Sequence, residues 1–484
     1  MIYITGAGCG DFSLLTLKAK RVIEQADCIL YDRLLDPQIL QLTNDNCERI
    51  YVGKQNHHHS LPQEDIQKLL VEKGQQYQNV VRLKGGDPYV FGRGSEEALY
   101  LAKHHMEFEI IPGVTSGIAG SALAGIPVTH RGCALGVRIM SAHTKNDTLA
   151  QMDFESMANT QDTLIFLMGL NNLEEIVHHL IQAGKDTHTP IALISNGGRF
   201  NQTSVQGTLS NILKQDLSSI VSPGIIVVGN VVKFQNELSF LQHKPLFQKQ
   251  YLMACMQYDE EILWQFQEAG AHLDMITCGR IVHLPYTTSY PINEYTHILF
   301  TSKHGVDAFF HQLFEKGMDL RTFAHTTMCA IGQKTAEHLK QYGCIADVVS
   351  DVANSEGFAQ CLKHVLTKES NVLLPKAKNH NRILEESISQ LCSIESIKVY
   401  ETIPSPYTIQ EKDYNGILFT CSFVVHECMK QLHTWKNILQ KPVYAMGKKT
   451  TTTLQEYGFQ HIIELKEADR YQFIESILEE EHHV

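Results

Sequence analysis

The sequence has no CxxC pair. Its twelve cysteines stand singly along 484 residues, with no spacing that gathers three or four of them onto one metal ion. They read as reduced, mostly buried thiols, which excludes a disulfide framework and a zinc module. Basic charge is also short: 41 Lys and Arg face 53 Asp and Glu, a formal net charge of −12. That balance argues against nucleic acid as the main partner, and an anionic ligand needs local basic clusters. There is no basic leader, no long apolar opening run and no membrane span; the chain starts on the strand-like Ile2-Tyr-Ile4. The expectation is a cytoplasmic protein with no membrane partner. Apolar content of 43% and charged content of 19% are ordinary for globular proteins, and the length asks for several domains.

Two tempting motifs are incomplete. Gly6-Ala-Gly-Cys-Gly10 lacks the third glycine of a dinucleotide fingerprint, and Asp11 follows at once. A pyrophosphate cradle is therefore not expected, although the loop can still pass close to a nucleoside without phosphate. His57-His58-His59 cannot converge on one ion, because neighbouring side chains diverge, and no metal is expected.

What the chain does have is concentrated in Arg82-Leu-Lys-Gly-Gly-Asp-Pro-Tyr-Val-Phe-Gly-Arg-Gly-Ser-Glu-Glu97. A short buried strand over 79–83 leads into Gly85 and Gly86, which let backbone approach a ligand. Asp87-Pro88 has the chemistry of a helix start. Four glycines in ten positions exceed what a plain turn needs, which marks a ligand site.

Strand and helix patterns alternate along the chain, with strands expected over Ile2–Thr5, Cys28–Tyr31, Val80–Leu83 and Glu109–Ile111. Helices are expected over Leu14–Ala26 and, after the capping-box spacing Ser60-Leu-Pro-Gln63, over Gln63–Glu72. Beyond Pro112, strands are expected near 136–141, 163–168, 191–195 and 224–228. The order is that of an α/β protein with mostly parallel sheets and ligands at the carboxyl ends of strands. Residues 237–250 read as a linker. The last 240 residues carry a faint duplication. Ile298-Leu-Phe-Thr-Ser302 is matched by Ile417-Leu-Phe-Thr-Cys421, and Cys329-Ala-Ile-Gly-Gln-Lys-Thr335 by Tyr444-Ala-Met-Gly-Lys-Lys-Thr450. Each copy closes on a Tyr-Gly, at 342–343 and 457–458. Two similar lobes follow, with a cleft that collects the threonine-bearing turns, Thr301 and Thr450 among them. Either those turns meet anionic groups, or the threonines merely cap helices.

The first 240 residues resemble the uroporphyrinogen-III C-methyltransferases of the tetrapyrrole methylase family. The likeness runs through Ile4-Thr-Gly-Ala-Gly-Cys-Gly-Asp11, Leu14-Leu-Thr-Leu-Lys-Ala19, Tyr31-Asp-Arg-Leu34, Val52-Gly-Lys54, the glycine-rich segment, Pro112-Gly-Val-Thr-Ser116, Pro127-Val-Thr-His-Arg131, Met168-Gly169 and Gly207-Thr-Leu209. The C-terminal half resembles uroporphyrinogen-III synthase. The resemblance implies two α/β folds in series. A two-lobed methylase covers 1–240, divided near 111, and residues 241–247 link it to a two-lobed synthase. One synthase lobe takes 248–283 and 405–484, the other 289–398. His283-Leu-Pro285 and Val399-Tyr-Glu-Thr-Ile-Pro404 cross between them.

By the same resemblance, S-adenosylmethionine is the cofactor, lined by Cys9, Gly85, Gly86, Asp87, Val90, Thr115, Ser116, Met168 and Gly197. Cys9 stands where the family has proline. Asp32 matches the proton acceptor and Lys54 the proton donor. Read alone, Asp32 is equally a strand-end cap and Lys54 an exposed lysine or carboxylate anchor. Arg93, Glu96 and Arg131 match substrate-side residues, and a guanidinium suits a carboxylate-rich porphyrinogen. Glu96 is expected to orient Arg93 or to meet pyrrole N–H groups. In the synthase half, Tyr400 faces the cleft and Thr450 lies in its Gly-x-x-Thr motif, where Lys449 departs from the usual threonine. The implied reactions cyclise hydroxymethylbilane to uroporphyrinogen III and methylate it twice to precorrin-2, towards sirohaem or cobalamin. The alternatives are a methylase carrying a non-catalytic tetrapyrrole-binding module, or a methylase for a later corrin precursor. A homodimer through the methylase half is implied as well.

Overall fold

A computed structural model describes the whole chain except residues 11, 45, 54–60, 144–147, 380, 381, 468 and 484. It contains four sheets. The first is wholly parallel, in the order β3-β2-β4-β1-β5: β1 (Ile2–Gly6), β2 (Cys28–Tyr31), β3 (Glu48–Tyr51), β4 (Val80–Lys84) and β5 (Phe108–Ile111). The second, β6-β7-β10-β8-β9, is formed by β6 (Val137–Ser141), β7 (Thr163–Leu167), β8 (Pro190–Ser195), β9 (Thr203–Thr208) and β10 (Gly224–Val228). Only β6 and β7 run parallel there; the other pairings are antiparallel. The expectation of mostly parallel pairing fails for this sheet: β9 follows β8 directly as a hairpin partner at the edge, and β10 inserts antiparallel between β7 and β8.

The helix expected over 14–26 is shorter, Leu17–Glu24, because Thr16 accepts from Ala19 N and caps it. The helix expected after Asp87-Pro88 begins only at Gly94. Asp87 instead closes a turn, its Oδ1 accepting from Tyr89 N at 2.8 Å. Helix Gln63–Gln76 starts from Pro62 without a side-chain cap, and the Ser60 half of the expected capping box lies outside the described residues.

The third sheet, β12-β11-β19-β20-β21, is parallel and drawn from two stretches of chain: β11 (Gln250–Cys255), β12 (His272–Thr277), β19 (Gly416–Phe419), β20 (Val443–Ala445) and β21 (Ile462–Glu464). The stretch between them forms the fourth sheet, β13-β18-β17-β14-β15-β16: β13 (Gly279–His283), β14 (His297–Phe300), β15 (Thr327–Ala330), β16 (Val348–Val349), β17 (Asn371–Ala377) and β18 (Ser393–Pro404). β13 and β18 pair antiparallel from Gly279↔Pro404 to His283↔Tyr400, so both crossing segments form one ribbon.

The two halves share a core. Phe12, Ala19, Val22 and Ile23 join Ile262, Leu263, Phe266 and Phe473 in one apolar cluster, each such large side chain contributing about 1.5–3 kcal/mol by its burial. Phe12 meets Trp264 edge-on at 5.1 Å, and Lys20 reaches both Glu260 carboxylate oxygens at 2.5 and 2.7 Å. Leu246, within the expected linker, is fully buried in the same cluster. No helix among the described residues is long and apolar enough to cross a membrane.

Candidate functional sites

The glycine-rich segment closes one side of a cavity at the carboxyl ends of β1 and β4. Gly8 and Gly86 exchange backbone bonds, 3.2 Å from Gly8 N–H and 2.7 Å from Gly86 N–H. A Cβ on Gly113 would lie 2.2 Å from Gly86 O, so only glycine permits this approach. Asp87 Oδ2 accepts from Gly113 N at 3.0 Å and fixes the turn below. From the second lobe, Gly197 O accepts from Cys9 Sγ at 3.2 Å. Cys9 therefore ties the two lobes together at the position where proline was expected.

Cys9, Gly85, Gly86, Asp87, Val90, Thr115, Ser116 and Gly197 all line this cavity of about 130 Å³. Met168 does not; it stands half-exposed beyond β7 with φ 56°. Gly10 and Arg199 also line a neighbouring cavity of about 370 Å³, whose far wall carries Gln267, His272 and Lys412 of the second half. The smaller space alone falls below the usual small-molecule range, and the pair reaches it. The donor set suits a nucleoside bearing a sulfonium. Backbone groups and the apolar Val90, Leu34 and Ile225 dominate, Asp87 is engaged by two backbone amides, and Arg199 donates to Leu34 O at 2.8 Å. Thr115 stands at the N-cap of helix Ser116–Leu123 with its hydroxyl not spent on the cap.

Backbone strain gathers here too. Phe91, Arg93, Met168 and Asn196 have φ of 56°, 59°, 56° and 52°. Left-handed non-glycine residues of this kind cost about 1–3 kcal/mol each and collect at functional sites. None of the four was identified through its backbone, because propensity does not carry φ.

Asp32 ends β2 with Oδ1 accepting from Leu34 N at 3.1 Å and Oδ2 3.6 Å from Arg82 Nη2. It therefore holds a turn, without capping a helix, and keeps one oxygen towards a buried cation. Arg93 donates to both oxygens of Glu96, at 2.9 and 2.7 Å. Arg131 lies exposed in the turn between His130 and Ala134, away from the cavity lining. Lys54 and His57–His59 lie outside the described residues. Among the described residues no group of three His, Cys, Asp or Glu could hold a metal ion.

Beneath Asp32 runs a charged network not identified as such in the sequence. Glu97 is fully buried, and its Oε1 accepts from Arg82 Nε at 3.2 Å, Lys84 Nζ at 2.9 Å and Gln63 Nε2 at 3.0 Å. Burial, then the adjacent Arg82, holds Lys84 below the usual lysine value against the opposing pull of Glu97. Two cations two apart on β4 share one face, which was the available signal.

The second half opens a cleft of about 770 Å³ between its lobes, with Arg280, Lys303, Lys334 and Arg470 around His283, His304 and His338. Its cations suit a polycarboxylate. Tyr400, expected to face the cleft, is buried and does not itself line it: its OH meets Ser302 Oγ at 3.0 Å, and its ring packs 5.9 Å from His304, which does. Thr450 is buried with its hydroxyl donated to Met446 O at 3.3 Å, and Thr301 is half-buried; neither lines the cleft, while Thr420 does. Thr450 sits inside the first turn of helix Lys448–Glu456, where back-bonding to the preceding turn satisfies it.

Fold and sites together define a two-part α/β enzyme: a two-lobed methylase followed by a two-lobed synthase module. Residues 1–213 match the family model for Tetrapyrrole (Corrin/Porphyrin) Methylases, and 265–475 match Uroporphyrinogen-III synthase HemD. The porphyrin biosynthesis protein HemD of Ruminiclostridium josui is 31% identical over 96% of this chain and 94% of its own length. The chain belongs to that family. The uroporphyrinogen-III C-methyltransferase of Bacillus subtilis is 43% identical over 56% of this chain and 57% of its own, so the chain spans little more than half of that relative. A crystal structure of uroporphyrin-III C-methyl transferase from Thermus thermophilus, complexed with S-adenyl homocysteine, is 37% identical over 48% of this chain and 98% of that one, with a TM-score of 0.42.

Proposed function

We propose that this chain carries out two consecutive steps of tetrapyrrole synthesis. The C-terminal region closes hydroxymethylbilane to uroporphyrinogen III with loss of water. The N-terminal region then methylates that product twice, giving precorrin-2 for sirohaem or cobalamin. The observation that carries the reading is the gathering of eight expected cofactor residues in one glycine-walled cavity.

S-adenosylmethionine, when bound, supplies an electrophilic methyl group. Gly85, Gly86 and the loop from Gly8 to Gly10 hold it through backbone dipoles, with Thr115 and Ser116 beside Gly86 in the same lining. Forming a bond from a pyrrole carbon requires loss of a proton, and the base assigned to take it is Asp32, partly exposed just past β2 with one oxygen 3.6 Å from Arg82 Nη2. Glu96 holds Arg93 in one orientation, so its guanidinium can clamp a substrate carboxylate at little entropic cost. Lys54, outside the described residues, is assigned by family resemblance alone as proton donor or carboxylate anchor.

A second reading is favoured by one observation, the burial of Thr450. The C-terminal region would then bind a tetrapyrrole without cyclising it. The two are separated by the isomer made from hydroxymethylbilane. The methylase assignment is tested with methyl-labelled cofactor and uroporphyrinogen III. Asp32→Asn should lower turnover about 100- to 10,000-fold while retaining cofactor affinity; unchanged turnover rejects Asp32 as the base. Action in the cytoplasm as a homodimer through the methylase half belongs to the same proposal.

A further inference from the structure

The duplicated halves of the synthase module differ where a merely structural repeat would not. Alignment of Ser302 with Cys421 and of Gly332 with Gly447 makes Tyr342 the counterpart of Tyr457. Both tyrosines brace the preceding helix: Tyr342 OH donates to Asp307 Oδ1 at 2.7 Å, and Tyr457 OH meets His426 Nδ1 at 3.0 Å. That brace is scaffold. The same alignment sets His338 against Thr453, which is buried and donates to Lys449 O at 3.0 Å. At this position of the repeat, the lobe containing β14 and β15 places an imidazole against a carboxylate, and its counterpart does not. His338 Nε2 lies 2.6 Å from Asp307 Oδ1, and both residues line the cleft.

Three histidines line this cleft, and their surroundings sort them. His283 has only a ring contact with His311, at 5.3 Å. Burial, then the Lys303 ammonium, holds His304 below the ordinary imidazole value, so it is the neutral member. His338 alone has a carboxylate partner. Burial works to raise the Asp307 carboxyl, but the bonds from His338 and Tyr342 outweigh it and keep it ionised. A carboxylate fixed on one ring nitrogen orients an imidazole and leaves the other nitrogen for proton transfer.

We propose that His338, positioned by Asp307, is the general acid that expels the hydroxyl group of the linear tetrapyrrole in the cyclisation. The inference rests on the synthase reading of this cleft. Nδ1–H passes its proton to the terminal hydroxymethyl oxygen. The carbon–oxygen bond breaks with its electron pair on oxygen, which leaves as water, and the adjacent pyrrole nitrogen stabilises the carbocation. The carbon is then attacked by the substituted α-carbon of the pyrrole ring at the far end, giving a spiro intermediate. The bond from that α-carbon to its original methylene bridge breaks. The released methylene rebonds at the ring's free α-carbon, which inverts the ring and gives the type III macrocycle. The last proton lost as that ring regains aromaticity recharges His338, so the balance is one bilane to one macrocycle and one water.

The test uses the full-length chain, with hydroxymethylbilane as substrate and separation of type III from type I isomers after oxidation. His338→Gln should lower kcat for the type III product about 100- to 10,000-fold with KM little changed. Asp307→Asn should lower it less, and Thr453→Ala, the counterpart in the other lobe, should leave it unaltered. Thermal melts and retained KM separate lost chemistry from lost fold. A His338→Gln protein within twofold of wild-type kcat overturns the assignment, as does a defect confined to KM. Wild-type protein yielding only type I isomer would instead remove the synthase reading itself, and the proposal with it.

Discussion

Glu97 is the residue whose removal tests the methylase architecture most severely. Its side chain is fully buried, and one oxygen serves Arg82, Lys84 and Gln63 together. Glu97→Ala leaves two cations, 4% and 5% exposed, without their carboxylate. Deleting one partner of a buried ion pair costs about 3–5 kcal/mol, even where replacing the whole set by apolar groups would be neutral. For a region of this size that is a fall in melting midpoint of roughly 6–20 °C. The pH dependence has a definite sign. Lys84 already titrates below its unfolded value, so the folded state binds fewer protons and stability rises with pH through that window. Losing Glu97 removes a contribution that raises the Lys84 value, so the window widens. The deficit of Glu97→Ala is then largest near neutrality and shrinks towards the ordinary lysine value of 10.5. Calorimetry at several pH values, with hydrogen exchange of β4 amides to place the loss, measures this. A midpoint within about 2 °C of wild type, or a deficit that grows with pH, refutes the reasoning.

Three more outcomes follow from the geometry. Arg93→Lys should weaken uroporphyrinogen III binding by roughly tenfold or more, because the bidentate bonds to Glu96 cannot be reproduced by an ammonium; titration of substrate checks it. Gly113→Ala should abolish S-adenosylmethionine binding in calorimetry, since the new Cβ would meet Gly86 O at 2.2 Å. The synthase cleft takes Met253 and Cys255 at one end of β11, whereas the cavity beside the methylase takes Gln250 at the other. Transfer between them should therefore pass through solvent, and added unlabelled uroporphyrinogen III should dilute labelled intermediate fully; persistent label in precorrin-2 would contradict this.

Much of the fold was legible because strand patterns are local. Ile2–Thr5, Cys28–Tyr31 and Val80–Leu83 read as strands from their apolar runs, each within a residue of the strand found, and the matched Ile-Leu-Phe-Thr segments became β14 and β19. β9 was not read: Thr203–Thr208 is polar on its exposed face, and pairing with β8 organises it. The cofactor wall was legible because glycines at a crowded turn leave a compositional trace. Met168 and Thr450 were placed by motif, but side-chain direction depends on the turn each occupies, and both face away from their cavities. The Glu97 network and the His338–Asp307 pair join elements 13 or more residues apart, which single-sequence spacing does not register.

The most direct test of the bifunctional account is product analysis of the purified chain given hydroxymethylbilane, with and without S-adenosylmethionine. The account predicts type III isomer alone without the cofactor, and a species heavier by two methyl groups with it. Type I isomer alone, or a product whose mass the cofactor leaves unchanged, would contradict it.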